Sequence, residues 1–331
     1  MWEWASSRPQ YCLKFGTDSI AWAETERNWR GQRRHKCVMS SLPDGMIKPS
    51  PTEENVSDPT ALAVRVRDLT GRDSIHHAGG GTILSDLPRR IAVLLPDTSV
   101  KATLLHLDQL PARREEREAL IRWRLGQEQL FPLSGAKVLF QIFHDRSENN
   151  GSAYTVLTVA VQESVLKQYE SLCESIGLIP QEVEVTSLRI FDFWRRTSKG
   201  SHWRSRKCLW INVSDRALTT MICQQGRLLF YRCKLLGAET AEALAKTDML
   251  NKIHEECCAS LEICQQQHPS TIVKEAVICA DGDISAFQEL IEAELRVSVE
   301  RLDWKSVEAL GRMIGGSHRG MPSLAAMAGV F

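Results

Sequence analysis

An apolar strand, a small polar turn and a second strand occur in succession twice in this chain, at residues 11–24 (YCLKFGTDSIAWAE) and again at 208–223 (CLWINVSDRALTTMIC). The Gly-Thr-Asp-Ser run at 16–19 supplies the tight bend that a hairpin needs. Each pair is followed by further strand and helix signals, so the chain reads as two related α/β halves. At 331 residues it has room for about two ordinary domains.

The signals between the hairpins predict the following order. Residues 27–60, punctuated by Pro43, Gly45, Pro49, Pro51 and Pro59, are expected to be loops with one short edge strand. Pro59 opens a helix to about Asp68. RIAVLLP at 90–96 is a short apolar run typical of a buried strand, and another strand covers 99–108. A helix of about eighteen residues follows Pro111, with Leu120, Ile121, Trp123 and Leu130 on its apolar side, packed on a sheet. Strands at 137–143 and 153–161 and a helix at 162–176, closed by Gly177, come next. The basic run 195–207 (RRTSKGSHWRSRK) marks the joint between the halves. Beyond it lie strands at 208–214, 217–223 and 227–235, a long helix at 239–267, a strand at 275–279, a helix at 284–295, a strand at 297–301 and a small-residue helix, SLAAMAGV.

Composition excludes several classes. Apolar residues make up 43% and charged residues 25%, as in soluble globular chains. Forty-one Lys and Arg balance forty-one Asp and Glu, which removes the simplest case for a nucleic-acid-coating protein. No stretch approaches the roughly eighteen apolar residues of a spanning helix, and Met1-Trp2-Glu3-Trp4 does not open a secretory signal. The ten cysteines show no C-x-x-C spacing and read as reduced thiols of a cytosolic protein.

The duplicated device is the sequence form of an actin-like fold, in which two halves face each other across a cleft. There the two turns grip nucleotide phosphates, because backbone N–H groups in a tight turn form an anion-binding concavity. The ordered segments LKFGTDSIAWAE, SLPDGMIKPSPTEENVSDPTALA, VLLPDTSVKATLLHLDQLP, IRWRLGQEQLFPL, YTVLTVAVQESVLKQYESLCESIGLIPQEVEVTSL and LWINVSDRALTTMICQQGRLLFYRCKLLGAET span nearly the whole chain. Together they resemble the PilM family of type IV pilus assembly, with its relatives in MSHA-type pili and type II secretion.

The resemblance implies an actin-like two-lobed fold with a small α/β subdomain inserted in the first half. It divides the chain into a first lobe (1–98), an inserted partner-binding subdomain (99–176), a return segment and basic linker (177–207), a second lobe (208–310) and a C-terminal helix returning to the first lobe (311–331). It also implies a nucleotide pocket at Lys14, Gly16, Thr17, Asn212, Ser214, Asp281 and Gly282. The pocket departs from the family pattern. Lys14 stands where the family has an acid for Mg²⁺, and Asn212 and Ser214 replace the second acid and a glycine. Asp281, beside Gly282, is expected to repel a polyphosphate, and Ala259 replaces an arginine near the base. The stretch after Gly237 is too short for the family's second-half subdomain, so that roof is expected to be reduced. Hard Mg²⁺ favours carboxylates with phosphate and water oxygens, so neither ATP nor Mg²⁺ is expected as a cofactor and ATP hydrolysis is not expected.

What remains by resemblance is a cytoplasmic scaffold, peripheral at the inner membrane. It would bind the short tail of a single-span PilN-like protein, with motor or platform proteins of the same machine as further partners and no nucleic acid. Leu104, Leu107, Leu110 and Trp123 are the candidates for the partner groove, weighed against simple packing of helix on sheet. The alternatives are an ATP-binding actin-like ATPase of pilus biogenesis and a membrane-associated cell-division-type actin homologue. His254, Cys257, Cys258, Cys264 and His268 invite a zinc reading. At about 100° per residue, however, Cys257 and Cys264 share a helical stripe with Leu250, Ile253 and Leu261, which favours the core. His76-His77 and the Gly79-Gly80-Gly81-Thr82 run, without a P-loop lysine, read as a loop. The basic stretches 27–36 and 195–207 read as solvated loops in preference to contacts with anionic lipid.

Overall fold

The computed structural model of the chain describes residues 9–27, 29–30, 33–71, 88–127, 131–144, 154–196, 205–237, 246–310, 313–319 and 322–331. Two sheets carry one plan. β1 (Tyr11–Phe15), β2 (Ser19–Arg27) and β3 (Arg33–Ser41) run antiparallel in succession, and β4 (Arg89–Leu95) and β8 (Leu178–Val185) continue parallel to β1 on its other side. β9 (Lys207–Ser214), β10 (Ala217–Gln224), β11 (Arg227–Leu235), β12 (Glu275–Ala280) and β13 (Ser298–Leu302) repeat this arrangement. The orders β3-β2-β1-β4-β8 and β11-β10-β9-β12-β13 match position for position. The duplication predicted from two hairpins is a duplication of whole sheets.

β14 (Met313–Arg319) pairs parallel with β3 and completes six strands. This corrects the expected short edge strand between 27 and 60: β3 is nine residues long and paired on both sides. The prolines that suggested loops stand beyond its end, where no ladder N–H is needed.

Side chains alternate across the six-stranded sheet. One face carries Leu13, Phe15, Ile20, Trp22, Ile91 and Val93 beneath α1 (Pro59–Thr70) and α3 (Glu163–Ser175). α1 starts where the Asp58 side chain accepts from Ala61 N at 2.9 Å and ends at Gly71, whose φ of 67° closes the helix in the left-handed region. The opposite face carries Cys12, Ala21, Ala23, Ala92 and Leu94, and receives α4 (Thr186–Arg196) and α8 (Leu324–Gly329). Cysteine and alanine leave room for close approach: a Cβ on Gly329 would lie 2.1 Å from Cys12 Sγ.

In the second lobe, α5 (Thr247–Gln267) buries Leu250, Ile253, Cys257, Ser260 and Cys264 in one stripe. It shares a core with Leu209, Ile211 and Ile278 and with Phe287 and Ile291 of α6 (Ser285–Leu295). Cys257 and Cys264 are thus core residues. The long helix is shorter at its start than predicted, since Lys246 is extended at φ −99°, ψ 126°; residues 238–245 lie outside the described ones. α7 (Trp304–Leu310) then leads to β14.

β5 (Lys101–Leu107), β6 (Ala136–His144) and β7 (Tyr154–Gln162) form a third sheet in the order β5-β7-β6, inserted between β4 and α3. α2 (Arg114–Gln127) covers it with Ile121 and Leu125 against Leu105, Leu107, Val138 and Val156. Because Ile121 and Leu125 take the sheet side, Trp123 points away and is 54% exposed. That corrects its expected packing on the sheet. α2 has fourteen residues rather than eighteen, with 128–130 outside the described residues. His76-His77 and the glycine run also lie outside them.

All ten cysteines are free thiols, eight of them buried, with Cys233 and Cys258 half-buried. Burial pushes the Cys37 and Cys173 thiols up to about 12. Among the described residues no helix is long and apolar enough to cross a membrane.

Candidate functional site at the interlobe cleft

The β1–β2 turn of the first lobe, Gly16 to Asp18, meets the β9–β10 turn of the second, Asp215-Arg216. Asp215 and Arg216 both adopt left-handed backbone, with φ of 54° and 58°. Two such residues make the tight turn whose twist suits a hairpin. Gly16 has its hydrogen where another residue would place Cβ, and that atom would lie 2.2 Å from Asp215 Oδ1 and 2.8 Å from Ser19 O. The absent side chain at 16 is what admits the Asp215 carboxylate.

Lys14, one residue before the end of β1, reaches into this contact and is 3% exposed. Its ammonium donates to Asp215 Oδ1 at 3.1 Å and pairs with Asp281 Oδ2 at 3.7 Å. Asp281, immediately after β12, also accepts from Leu324 N at 2.6 Å and Ser323 Oγ at 3.0 Å at the start of α8. Asp97 follows β4 in a single 3₁₀ turn, Asp97–Ser99, and is buried. It accepts from Ser187 N at 2.8 Å, from Ser187 Oγ, and from Thr219 Oγ1 at 2.5 Å. Asn212 donates from one amide nitrogen to Ser187 Oγ at 2.8 Å and Ser214 Oγ at 2.9 Å.

The charges follow from this packing. Burial on its own lowers the Lys14 pKa, but the Asp215 and Asp281 carboxylates outweigh it and the net shift is upward, so Lys14 is an ammonium ion. Burial is the largest influence on Asp215 and raises it to about 6, with Lys14 pulling the other way. Asp97 is raised by burial against the lowering effect of its hydrogen bonds from Ser187 and Thr219. At the rim, Arg216 reaches back to the first lobe, to Asp18 at 2.6 Å and Asp44 at 2.8 Å.

A polyphosphate with its metal needs donors and carboxylates that are not already engaged. Here the Lys14 ammonium is spent on two carboxylates, the Asn212 amide nitrogen on two hydroxyls, and the space above Gly16 is taken by Asp215. Beside them Thr17 Oγ1, Asn212 Oδ1 and Asp215 Oδ2 are buried without a hydrogen-bond partner. Among the described residues no group of three or more His, Cys, Asp or Glu is placed to hold a metal ion.

Lys14, Gly16, Asn212, Ser214 and Asp281 therefore belong to one connected cluster. Thr17 is buried in the adjoining turn and Gly282 follows Asp281. Asp281, which the sequence assigns a repelling role, is instead the ion-pair partner of Lys14 and an acceptor for α8. The sequence reading passes over Asp97, Asp215, Ser187 and Thr219. Asp215 was signalled by its place in a two-residue hairpin turn, and Asp97 by its place at the carboxyl end of a parallel strand, where α/β sheets put their sites.

The four partner-groove candidates do not come together. Leu107 and Leu110 pack inside the inserted subdomain, Trp123 is exposed on α2, and Leu104 faces the other side of its sheet. Leu104 lines a cavity of about 700 Å³ between β5 and β11, which are outermost strands of their sheets. Lys101, His106, Pro49 and Lys234 also line it, and Leu235, 60% exposed, stands at its wall.

Of the basic stretches, Trp29 is 87% exposed with the Arg30 guanidinium 4.5 Å from its ring. Arg206 is no solvated charge. It bonds Glu275 at 2.7 Å and Glu300 at 2.8 Å and stacks 5.1 Å from the Trp194 ring of α4. Residues 197–204 lie outside the described ones.

No protein-family model matches the sequence, and no curated protein matches it. Among solved structures, a chain of the "PilM-PilN type IV pilus biogenesis complex" superposes with a TM-score of 0.70 at 15% identity, covering 98% of each chain. A Bacteroides thetaiotaomicron protein described as having an actin-like ATPase fold gives 0.44 at 14% identity, covering 100% of this chain and 98% of its own. The cytoplasmic domain of EpsL, an inner-membrane component of the Vibrio cholerae type II secretion system, gives 0.45 at 9% identity, covering 96% and 92%. The full-length superposition shows that this chain shares the fold of a chain of the PilM–PilN complex, duplicated sheets included.

Proposed function

We propose that this protein is a non-catalytic scaffold of a type IV pilus or related secretion machine. It acts on the cytoplasmic side of the inner membrane by holding the tail of a membrane-anchored PilN-like partner. The observation that carries the reading is the buried Lys14–Asp215–Asp281 cluster. It fills the contact between the two turns with the protein's own charges, where phosphoryl transfer would require free donors and a metal-binding carboxylate. The partner is taken from the complex named for the superposed chain. We place its tail in the cavity between β5 and β11, where two outermost strands and Leu104 offer backbone groups and apolar surface to an extended segment. The same reading divides the chain into a first lobe (1–98), an insertion (99–176), a return and linker (177–207), a second lobe (208–310) and a returning C-terminal segment (311–331).

Calorimetric titration with ATP and Mg²⁺ tests the non-catalytic half, and no saturable heat is expected. Saturable binding that is lost on substituting Gly16 or Ser214 would overturn it. Affinity purification from membranes tests the other half, with recovery of a small single-span protein as the expected outcome. Recovery of soluble proteins alone would count against the assigned partner.

A further inference from the structure

Among the described residues, Lys14 and Arg189 are the two buried side chains that carry a permanent positive charge. Arg189 serves one lobe: it donates to Ala328 O at 3.0 and 2.8 Å and to Gly329 O at 3.3 Å, closing the end of α8. Lys14 serves both. Its partner Asp215 stands in the second lobe's hairpin turn, and its partner Asp281 ends a second-lobe strand while holding Ser323 and Leu324 of the first lobe. Asp97, on the first lobe, faces the same ammonium and accepts from Thr219 of β10. The path of bonds leaves the first lobe, enters the second and returns to the first at the C-terminal helix.

The two turns are complementary in a crossed sense. The first offers a cation inside, Lys14, and a carboxylate at the rim, Asp18. The second offers a carboxylate inside, Asp215, and a cation at the rim, Arg216. Both sets of charges are satisfied only when the lobes are together. The rim pair is partly exposed and a weak contributor. In the buried set, separation of one partner leaves charge stranded in a poorly solvated place. Hinged two-lobed proteins ordinarily close around a bound ligand that bridges the lobes; here the bridging charge is covalently part of β1.

We propose that Lys14 is a tethered cation that latches the two lobes and the C-terminal helix into a fixed closed arrangement, in the role that a bridging ligand plays in other hinged proteins. The latch goes beyond the scaffold reading, because it concerns what sets the angle between the lobes and holds whether or not a partner's tail binds.

Hydrogen–deuterium exchange on the full chain tests it, comparing wild type with Lys14→Met, Asp215→Asn and the double variant. Lys14→Met is expected to accelerate exchange about tenfold or more in two places. One is 322–328, tied through Asp281. The other is the β11 edge at 229–235, which Lys14 does not touch and which lies across a cavity from β5 of the inserted subdomain. The double variant is expected to lose little more protection than Lys14→Met alone, since the two side chains act through one contact. Acceleration confined to 12–19 would overturn the latch in favour of a local packing role. So would a double variant whose loss is the sum of the two single losses. If Lys14→Met does not accumulate as folded protein, Asp215→Asn alone gives the same readout, and unchanged exchange at 229–235 in that variant overturns the proposal.

Discussion

Lys14 and Asp215 are 201 positions apart in sequence, and neither would be tolerated where it sits without the other. A buried carboxylate is costly in its charged form, which is why burial raises Asp215 to about 6 from 3.8. The sign of the resulting pH dependence is fixed. Because the folded-state value is the higher one, Asp215 contributes stability that is fully present below about pH 3.8 and is lost as pH rises through about 6. Asp97, also raised, adds in the same direction. Asp215→Asn is therefore expected to flatten the fall in stability between pH 4 and 7 relative to wild type, read from urea midpoints at each pH. Identical slopes in the two proteins would show that Asp215 does not titrate in this window. The sequence exposed half of this cluster. Lys14 and Asn212 stand out because each is the wrong residue for a metal site, and Asp281 because a carboxylate repels a polyphosphate, whereas Asp215 and Asp97 matter only through what faces them across the cleft. No local pattern records that Gly16 makes room for a carboxylate from the other lobe.

At the scale of elements, the apolar strands were legible because both faces of β4, β9 and β12 are covered, and a doubly covered strand reads as a continuous apolar run. Capped helices were legible too, as with Asp58-Pro59 opening α1 and Gly71 ending it. What escaped were elements defined by their surroundings. α4 (TSLRIFDFWRR) follows a strand without a break and runs into the basic joint. β14 (MIGGSHR) carries a Gly pair that argues against a strand and exists because β3 offers it an edge. α8 is the clearest case of context. The sequence marks it as a small-residue helix, and all six residues are buried, tied by Asp281 at one end and Arg189 at the other. A methyl group at Gly329 would overlap Cys12 Sγ. Gly329→Ala is accordingly expected to destabilise the protein by about 1–3 kcal/mol, the usual cost of overpacking, measured by thermal or urea unfolding. Paired substitution with Cys12→Ala should return part of that loss, and failure to do so would place the strain elsewhere.

For the molecule as a whole, charged side chains reach towards the first lobe from both ends of β9. Asp215 follows its last residue, and Arg206 precedes its first while stacking on Trp194 of the other lobe. Eight residues at about 3.3 Å each separate them by roughly 25 Å. Sites that far apart without shared partners usually act independently. Lys14→Met and Arg206→Ala are thus expected to add to within about 0.5 kcal/mol in urea unfolding. A marked departure from additivity would mean that the joint and the cleft communicate. The thiols offer a way to watch such events. Cys12 and Cys37 lie in the first lobe, Cys208, Cys223 and Cys279 in the second, all deeply buried, and a buried thiol reacts with an alkylating reagent only when its surroundings part. The molecule thereby carries its own chemical clock on both sides of the cleft, and the order in which those sulfur atoms become alkylated would time which lobe breathes first.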